Sequence, residues 1–299
     1  MKHYDVIVIG GGPAGLTASI YALRSGCSVL LIEGEVLGGQ MSKTHKIENY
    51  PGVTNLSGLE LGMQMHTQAE NLGLVTEYDF VTNVDLKNKV VSTNLSQFSA
   101  TCIILSMGAK PKKLGLKSEE KFLSQGVHYC ATCDGNFYKG KDVVVVGGGN
   151  TAVENAIYLS NICNSVTMVV RSELKCQDIF LSTIQKLEKS GKLAILYKEK
   201  IAEIVGEEKV EGIKFDSGKS LKTDAVFVAI GNEPNIGLVE GQLKLKNGYI
   251  MADENMHTSI DGVFVAGDLR DKNLRQVTTA TADGSIAGTE AGIYVNKRR

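Results

Sequence analysis

The stretch YCATCDGNFYKGKDVVVVGGGNTA, residues 129–152, joins a closely spaced cysteine pair to an apolar run that ends in a glycine-rich loop. A continuous apolar run such as Asp142 to Val146 is typical of a strand buried on both faces of a parallel sheet. We expect the loop to lead into a helix over Thr151 to Asn161, and Val166 to Val170 to form the next strand. This order predicts a dinucleotide-binding βαβ unit beside a pair of thiols.

The same order of elements occurs at the start of the chain. Val6 to Ile9 predicts a strand, GGGPAG at residues 10–15 the loop, the residues to about Ser25 a helix, and Val29 to Glu33 a second strand. Glycines at these positions permit a tight turn, backbone approach to a pyrophosphate and close packing of helix on strand, and the terminal acid suits a ribose diol. The candidate binding residues here are Gly10, Gly12, Pro13, Ala14, Gly15 and Glu33.

The second loop has Ala152 where the first has Gly15. The residues that follow the predicted strand 166–170 also differ from those that follow the corresponding strand of the first unit. Arg171 suits a 2′-phosphate, whereas Glu173 suits a free 2′-hydroxyl and repels a phosphate. The alternative is a degenerate unit that no longer binds a nucleotide tightly. The candidate binding residues are Gly147, Gly149, Asn150, Thr151, Ala152 and Arg171.

Length and the positions of the apolar runs indicate two domains. The chain has 299 residues, more than a typical single domain. Further apolar runs at 102–105, 225–230 and 263–266 each end in a loop that contains glycine. We therefore predict an α/β protein with two Rossmann-like dinucleotide-binding domains, the second inserted into the first. The outer domain is expected over 1–112 and 238–299, and the inserted domain over 113–237.

Cys130 and Cys133 have the spacing of a redox disulfide, and Asp134 beside them is suited to carry the proton that thiol exchange requires. The alternative is half of a zinc site, which normally needs a second Cys-x-x-Cys or a Cys/His pair. No metal site is expected, because the remaining cysteines show no such pairing. These are Cys27, Cys102, Cys163 and Cys176. None of the five histidines lies in a motif, so each is expected to be structural.

Charge and hydropathy exclude several classes of partner. The net charge of −1 does not favour nucleic acid or an anionic membrane. The first apolar run breaks at Gly10, too early for a signal peptide, and no apolar run is long enough to cross a bilayer. We expect a cytoplasmic protein.

The order and spacing of the motifs strongly resemble the low-molecular-weight thioredoxin reductases of the bacterial type, flavoproteins of the pyridine nucleotide-disulfide oxidoreductase family. The resemblance covers essentially the whole chain. Its motifs are residues 10–15, 38–40, 47–52, 130–135, 147–154, 229–231, 234–235, 266–268 and 275–277.

The resemblance implies FAD in the outer domain and NADPH, with NADH as an alternative, in the inserted domain. Gln40 and Asn49 would approach the flavin, Asp268 would bind the ribityl chain, and Gln276 with Val277 would lie at the pyrimidine edge. The helix that follows would direct its N-terminus at the reduced flavin. The cofactor-binding residues implied in this way are Gly39, Gln40, Asn49, Gly108, Asp268, Arg275, Gln276 and Val277.

The resemblance also implies a reaction and a partner. Electrons pass from the nicotinamide through the flavin to the disulfide, with Cys133 facing the flavin and Asp134 handling the proton. Cys130 then attacks the disulfide of thioredoxin or a thioredoxin-like protein through a mixed disulfide. The family solves the need for the dithiol to contact first the flavin and then the protein partner by a rotation of the inserted domain. The resemblance also implies a homodimer.

One departure from the family leaves the electron donor open. The family has His-Arg-Arg and a further Arg in its nucleotide site, where this chain has Val170, Arg171, Ser172 and Cys176. Loss of two cations predicts weak NADPH binding, use of NADH, or a different donor such as a ferredoxin-like protein. A peroxiredoxin-type acceptor is a further alternative. A metal-binding or regulatory protein on a redundant nucleotide fold is the alternative outside the enzymes.

Overall fold

The computed structural model describes residues 1–44 and 46–299. The strands are β1 (Lys2–Ile9), β2 (Val29–Ile32), β3 (Val75–Glu77), β4 (Val81–Asp85), β5 (Val90–Thr93), β6 (Gln97–Leu105), β7 (Ala109–Pro111), β8 (Val127–His128), β9 (Asp142–Val146), β10 (Ser165–Val170), β11 (Leu193–Tyr197), β12 (Ile201–Val205), β13 (Gly212–Phe215), β14 (Ser220–Lys222), β15 (Ala225–Val228), β16 (Asn232–Pro234), β17 (Leu245–Lys246), β18 (Tyr249–Ile250) and β19 (Val263–Val265). The α-helices are α1 (Pro13–Arg24), α2 (Gly58–Glu70), α3 (Lys117–Lys121), α4 (Ala131–Asp134), α5 (Asn150–Ser160), α6 (Asp178–Lys189) and α7 (Val277–Asn296).

The chain forms two compact units. The first combines Met1–Lys110 with Glu233–Arg299, and the second is Pro111–Asn232. The unit boundaries lie a few residues before the domain boundaries expected after 112 and after 237. One unit is thus inserted into the other, as the predicted fold class requires.

The first unit is built on a sheet of order β3-β2-β1-β6-β5-β4, with β19 also pairing with β6. The strands β3, β2, β1, β6 and β19 are parallel, whereas β4, β5 and the start of β6 form an antiparallel meander. Every residue of β2 is buried, which is the reason for its continuous apolar sequence. Loops at the carboxyl ends of such parallel strands are where α/β folds bind nucleotides.

Alternate residues of β1 supply the two cores of this unit. Val6 and Val8 pack beneath α1, α2 and α7, while Ile7 and Ile9 pack on the opposite face of the sheet. All four side chains are at most 3% exposed. Because successive side chains of β1 point to opposite faces of the sheet, the end of β1 packs into a core on each face. The loop that follows β1 therefore starts from a firmly packed position.

Helix α7 lies against α1 through a row of glycines. A Cβ atom on Gly284 would collide with the carbonyl oxygen of Ala14, and one on Gly288 with that of Ala18. A Cβ on Gly292 would lie 2.5 Å from the Ser25 Cβ. The small residues therefore allow the two helix backbones to approach closely.

The second unit has a parallel sheet of order β11-β10-β9-β15-β8 and a three-stranded antiparallel sheet, β12-β13-β14. The order of the parallel sheet around β9 is that of a dinucleotide-binding fold. Val143 and Val145 face the core beneath α5, and Val144 and Val146 face the core on the other side. The predicted α/β class with two Rossmann-like units is confirmed. No helix in the described residues is long and apolar enough to cross a membrane.

Candidate active site

The first glycine loop turns tightly between β1 and α1. Gly10 has φ +101°, and a Cβ there would lie 2.6 Å from the carbonyl oxygen of Ser106. A Cβ on Gly15 would collide with the Gly10 carbonyl oxygen. Nothing in the described residues lies within 4 Å of a Cβ built on Gly12, the N-cap of α1. The loop thus presents an open approach to the N-terminus of a helix, which favours an anion.

Glu33 contacts the backbone of this loop directly. Its Oε2 atom accepts a hydrogen bond of 2.6 Å from Gly11 N, and Oε1 accepts one of 2.7 Å from Glu35 N. The sequence predicted a role toward a ribose, and the structure adds that the carboxylate supports the glycine loop. The spacing of strand, loop and acid gave no sign of this contact.

Several other segments of the first unit lie around the loop. Gly38 N donates to Gly11 O at 2.9 Å, and a Cβ on Gly39 would lie 3.2 Å from the Gly12 Cα. A Cβ on Gly267 would lie 2.8 Å from that of Ala14. The predicted residues Gly39 and Ala14 are therefore close to the Gly12 turn, and Gly267 brings the segment that contains Asp268 to the same place.

Asp268 and Arg275 each carry one buried polar atom that has no hydrogen-bond partner among the described residues. Within the part of the chain that the structure describes, Asp268 Oδ1 and Arg275 Nε have no hydrogen-bond partner. Burial raises the pKa of the Asp268 carboxyl, although Lys272 and Arg275 oppose this. Because buried polar groups are normally paired, these atoms point to a polar ligand.

Asn49 and Gln276 are brought together at the start of α7. Asn49 Nδ2 donates to Gln276 Oε1 at 3.1 Å. Gln276 is the N-cap of α7, where its side chain and that of Thr279 form a reciprocal capping box. Val277 is the first residue of the helix. Gln40 accepts a hydrogen bond from Lys43 Nζ at 3.2 Å, and none of the described contacts joins it to this pair.

Gly108 follows β6 and has φ +68° with open space at its Cβ position. Its carbonyl oxygen accepts a hydrogen bond of 3.0 Å from Asn235 N, and Asn235 Nδ2 donates to Met107 O at 2.7 Å. The segments that contain Gly108 and Asn235 are thus joined within the first unit.

In the second unit Cys130 and Cys133 form a disulfide. Cys130 is the N-cap of the short helix α4, and its carbonyl oxygen accepts from Cys133 N at 3.3 Å and from Asp134 N at 3.1 Å. Both cysteines are half-buried. The turn thus holds the two sulfurs together and keeps them accessible to exchange.

Asp134 is paired with a histidine that the sequence did not single out. His128 Nδ1 lies 3.2 Å from Asp134 Oδ2, and His128 Nε2 lies 2.8 Å from the Tyr138 hydroxyl. Burial, with the carboxylates of Asp134 and Asp224, raises the pKa of Tyr138 to about 12. No histidine lies in a sequence motif, each was expected to be structural, and no signal in the sequence indicated this contact.

The remaining four cysteines are free thiols. Cys27, Cys102 and Cys163 are buried, and Cys176 is half-buried. Burial raises the pKa of all three buried thiols, that of Cys163 to about 11. Across residues 1–44 and 46–299, no group of three or more metal-ligating side chains is assembled.

The second glycine loop is covered by the segment that follows β10. Lys175 N donates to Gly148 O at 2.7 Å, and Gln177 N donates to Asn150 Oδ1 at 2.8 Å. Nothing in the described residues lies within 4 Å of a Cβ built on Gly149, the N-cap of α5. The N-terminus of α5 therefore remains open, although Asn150 is engaged.

The remaining residues predicted for this loop lie in different environments. A Cβ on Gly147 would collide with the Ala229 carbonyl oxygen, and Ala152 is fully buried beneath the turn. Thr151 and Arg171 are exposed. The loop thus has the expected turn and packing, and two exposed cations, Arg171 and Lys175, follow β10.

Known proteins resemble this chain over its whole length. A family model described as pyridine nucleotide-disulphide oxidoreductase matches residues 4–284. A thioredoxin reductase of Peptoclostridium litorale is 41% identical over 310 residues, covering 98% of each chain. The crystal structure of a thioredoxin reductase from Streptococcus pyogenes has 38% identity and a TM-score of 0.89, covering 99% of each chain. A ferredoxin-flavin thioredoxin reductase from Clostridium acetobutylicum has 34% identity and a TM-score of 0.54, also covering 99% of each chain.

Proposed function

The chain belongs to the pyridine nucleotide-disulphide oxidoreductase family, and from this premise we propose that it is a thioredoxin-disulfide reductase that carries FAD and accepts electrons from NADPH. The observation that carries the proposal is the Cys130–Cys133 disulfide, formed within a unit whose parallel sheet has the dinucleotide-binding order. A dithiol in that setting is suited to receive electrons from a nucleotide and pass them to another disulfide.

The first unit fits FAD. The open N-terminus of α1 at Gly12 suits the pyrophosphate, and Glu33, directly after β2, would bind the ribose. Asp268 Oδ1 and Arg275 Nε, buried and without partners in the described residues, supply an acceptor and a donor for the rest of the cofactor. When bound, FAD would supply the two-electron chemistry that links a nicotinamide to a disulfide.

The residues of the second unit carry out the thiol steps. Reduction breaks the Cys130–Cys133 bond, and Asp134 takes a proton from solvent and passes it to the Cys133 thiolate, so that an S–H bond replaces the carboxyl O–H bond. The Cys130 thiolate then attacks the thioredoxin disulfide and releases one thioredoxin thiolate. Cys133 returns its proton to Asp134 and attacks the Cys130 sulfur, which reforms the internal disulfide and releases the second thiolate.

The test is anaerobic mixing of the oxidised holoenzyme with NADPH, and separately with NADH, while flavin absorbance is followed. We expect fast bleaching by NADPH, then oxidation of NADPH when oxidised thioredoxin is added. Cys130→Ser should retain the bleaching and lose thioredoxin reduction, whereas Cys163→Ser should retain both. Thioredoxin reduction by Cys130→Ser would contradict the dithiol route.

A reduced ferredoxin is the second candidate donor. Two observations favour it: two of the family's arginines are replaced by Ser172 and Cys176 and its histidine by Val170, and a similar solved structure is a ferredoxin-flavin thioredoxin reductase. In that case NADPH and NADH both bleach the flavin slowly, and reduced ferredoxin bleaches it fast. Fast bleaching by NADPH at low micromolar concentration would rule this candidate out.

The proposal includes the cellular setting and the assembly. We place the enzyme in the cytoplasm, where a thioredoxin reductase meets reduced nucleotides, and as a homodimer, which the resemblance to the family implies. Light scattering of the purified holoenzyme measures the mass directly. A mass of one chain would remove the homodimer from the proposal and leave the reaction unaffected.

A further inference from the structure

His128 lies in a hydrogen-bonded row between Asp134 and Tyr138. The distances are 3.2 Å from His128 Nδ1 to Asp134 Oδ2 and 2.8 Å from His128 Nε2 to the Tyr138 hydroxyl. The His128 side chain is 8% exposed and that of Asp134 is 18% exposed. The row begins just before Cys130 and includes the residue that follows Cys133. It is therefore a largely buried polar cluster attached to the dithiol.

Aromatic contacts fix the plane of the imidazole. The His128 ring stacks on Phe227 with centroids 5.4 Å apart and an interplanar angle of 28°. The Tyr138 ring meets both rings edge-on, at 5.2 Å from His128 and 5.8 Å from Phe227. Phe227 is also the β15 residue that pairs with His128 in the sheet. The ring nitrogens are thus held toward their two partners.

The chemistry of Asp134, His128 and Tyr138 determines which group donates and which accepts in each hydrogen bond of the row. An ionised carboxylate only accepts hydrogen bonds, so Nδ1 of a neutral imidazole must donate to Asp134. Nε2 is then the acceptor, and the Tyr138 hydroxyl donates to it. Tyr138 keeps its proton throughout the useful pH range, because its pKa is about 12. The row runs from Tyr138 through His128 to Asp134.

We propose that His128 is a positioning residue for Asp134, which fixes the carboxyl group and stabilises its ionised form through the Nδ1–H donor. The inference rests on the proposed role of Asp134 as the proton donor to the dithiol. When Asp134 releases its proton to a thiolate, an O–H bond breaks and an S–H bond forms. The electron pair left on the carboxylate is stabilised by His128, and solvent supplies the next proton.

The remaining titratable groups around the row are few. In the described part of the chain, Asp134 forms no ion pair with a lysine or arginine. The carboxylate of Asp224, the residue before β15, contributes to the raised pKa of Tyr138. Tyr158 of α5 packs against the turn after α4, since its Cε1 atom would lie 3.1 Å from a Cβ built on Gly135, and in the reduced protein Cys130 and Cys133 are the thiols next to Asp134. His128 is therefore the group on which the ionisation of Asp134 is expected to depend.

The first test is the tautomer of His128 in the holoenzyme, read from the nitrogen shifts of the ring by NMR. We expect the proton on Nδ1 near neutral pH, the less common tautomer of a free imidazole. A proton on Nε2 alone would overturn the proposal, since His128 then could not donate to Asp134. This measurement needs no variant and therefore does not depend on the folding of one.

The second test is the pH dependence of alkylation of the reduced dithiol. The holoenzyme is reduced with dithiothreitol and treated with iodoacetamide, and labelling at Cys130 and Cys133 is quantified by peptide mass spectrometry. The wild type should show an inflection from Asp134 that Asp134→Asn lacks. His128→Phe keeps the aromatic packing but loses the donor, so the inflection should move up by about one pH unit.

Matched variants separate donation from packing. His128→Asn can donate from its side-chain nitrogen at the position of Nδ1, so it should recover most of the shift. His257→Phe removes a histidine that pairs with Glu290 in the other unit and should leave the profile unchanged. An unmoved inflection in His128→Phe, or an equal shift in His128→Asn and His128→Phe, would overturn the proposal.

The two proposals fail in different ways. Alkylation and the tautomer require neither a nucleotide nor thioredoxin. Absence of thioredoxin reduction with every donor would remove the proposed function. Normal thioredoxin reduction together with an unmoved inflection in His128→Phe would remove only the role of His128.

Discussion

Lys272 and Asp283 form a buried ion pair, with 2.7 Å between Lys272 Nζ and Asp283 Oδ2. The two side chains are only 7% and 10% exposed. The same carboxylate oxygen accepts a hydrogen bond of 3.0 Å from Gly267 N. The pair therefore ties α7 to the turn that carries Asp268.

Lys272→Met should destabilise the protein by about 3 kcal/mol, because it leaves the Asp283 carboxylate buried without its closest cation. Arg270 Nε, 3.7 Å away, compensates in part. Urea unfolding measures the change in the free energy of unfolding. Lys113→Met is the matched control, since the Lys113–Glu120 pair is exposed and should contribute little. An equal loss in the free energy of unfolding in the two variants would contradict the claim that burial makes the Lys272–Asp283 pair more important than an exposed pair.

Gly12→Val should fold and lose FAD. Its side chain enters open space at the N-terminus of α1, where the pyrophosphate is proposed to bind. The variant should show the circular dichroism of the wild type and a flavin content reduced at least about tenfold, a loss of about 1.4 kcal/mol or more in binding free energy. Gly237→Val adds the same side chain at another open position and should retain its flavin. A full flavin content in Gly12→Val would place the cofactor elsewhere.

Asp268→Asn should stabilise the flavin-free protein near neutral pH while weakening FAD binding. Burial raises the pKa of Asp268 in the folded protein, so folding favours its protonated form. The stability that this group contributes is present below its unfolded pKa and is lost as the pH rises through its folded pKa. Unfolding of the flavin-free wild type and variant should therefore differ near neutral pH and converge in acid. If Asp268→Asn were less stable than the wild type near neutral pH, the predicted direction of the change in the free energy of unfolding would be wrong.

Ser172→Arg combined with Cys176→Arg should lower the NADPH concentration needed for flavin bleaching. Each added cation supplies a charged hydrogen bond of about 1.5–3 kcal/mol to the 2′-phosphate, so the pair predicts a gain of about a hundredfold or more. The response to NADH should not improve. Gln185→Arg combined with Ser190→Arg adds the same charge along and after α6 and serves as the control. A gain in both double variants would indicate general electrostatic attraction rather than a phosphate site.

The parallel strands and their glycine loops could be predicted from the sequence because their signals are local. Every residue of β2 is buried, so its sequence is continuously apolar. The turn at Gly10 has a positive φ, so the sequence has a glycine there. The observed α5 lies within one residue of the helix expected over 151–161. The meander of β4 and β5 was not predicted, because its strands are short and alternate between buried and exposed residues.

The side-chain contacts of the candidate site could not be predicted, because they depend on how the segments meet in space. Asn49 and Gln276 are separated by 227 positions, and no pattern in either segment indicates the other. The contact between His128 and Asp134 depends on the turn of α4 and on stacking against Phe227. The resemblance to a family supplied the names of several of these residues but not their contacts.

The packing of α7 on α1 determines the order in which the chain can fold as it is synthesised. The second unit is complete once Asn232 has left the ribosome, whereas the first unit still lacks α7 at that moment. Until Gly284 and Gly288 reach α1, the apolar surface around Val6 and Val8 lacks α7 and is covered only in part, by α1 and α2. The first unit must therefore spend the last part of translation incomplete, with an exposed surface that chaperones would recognise.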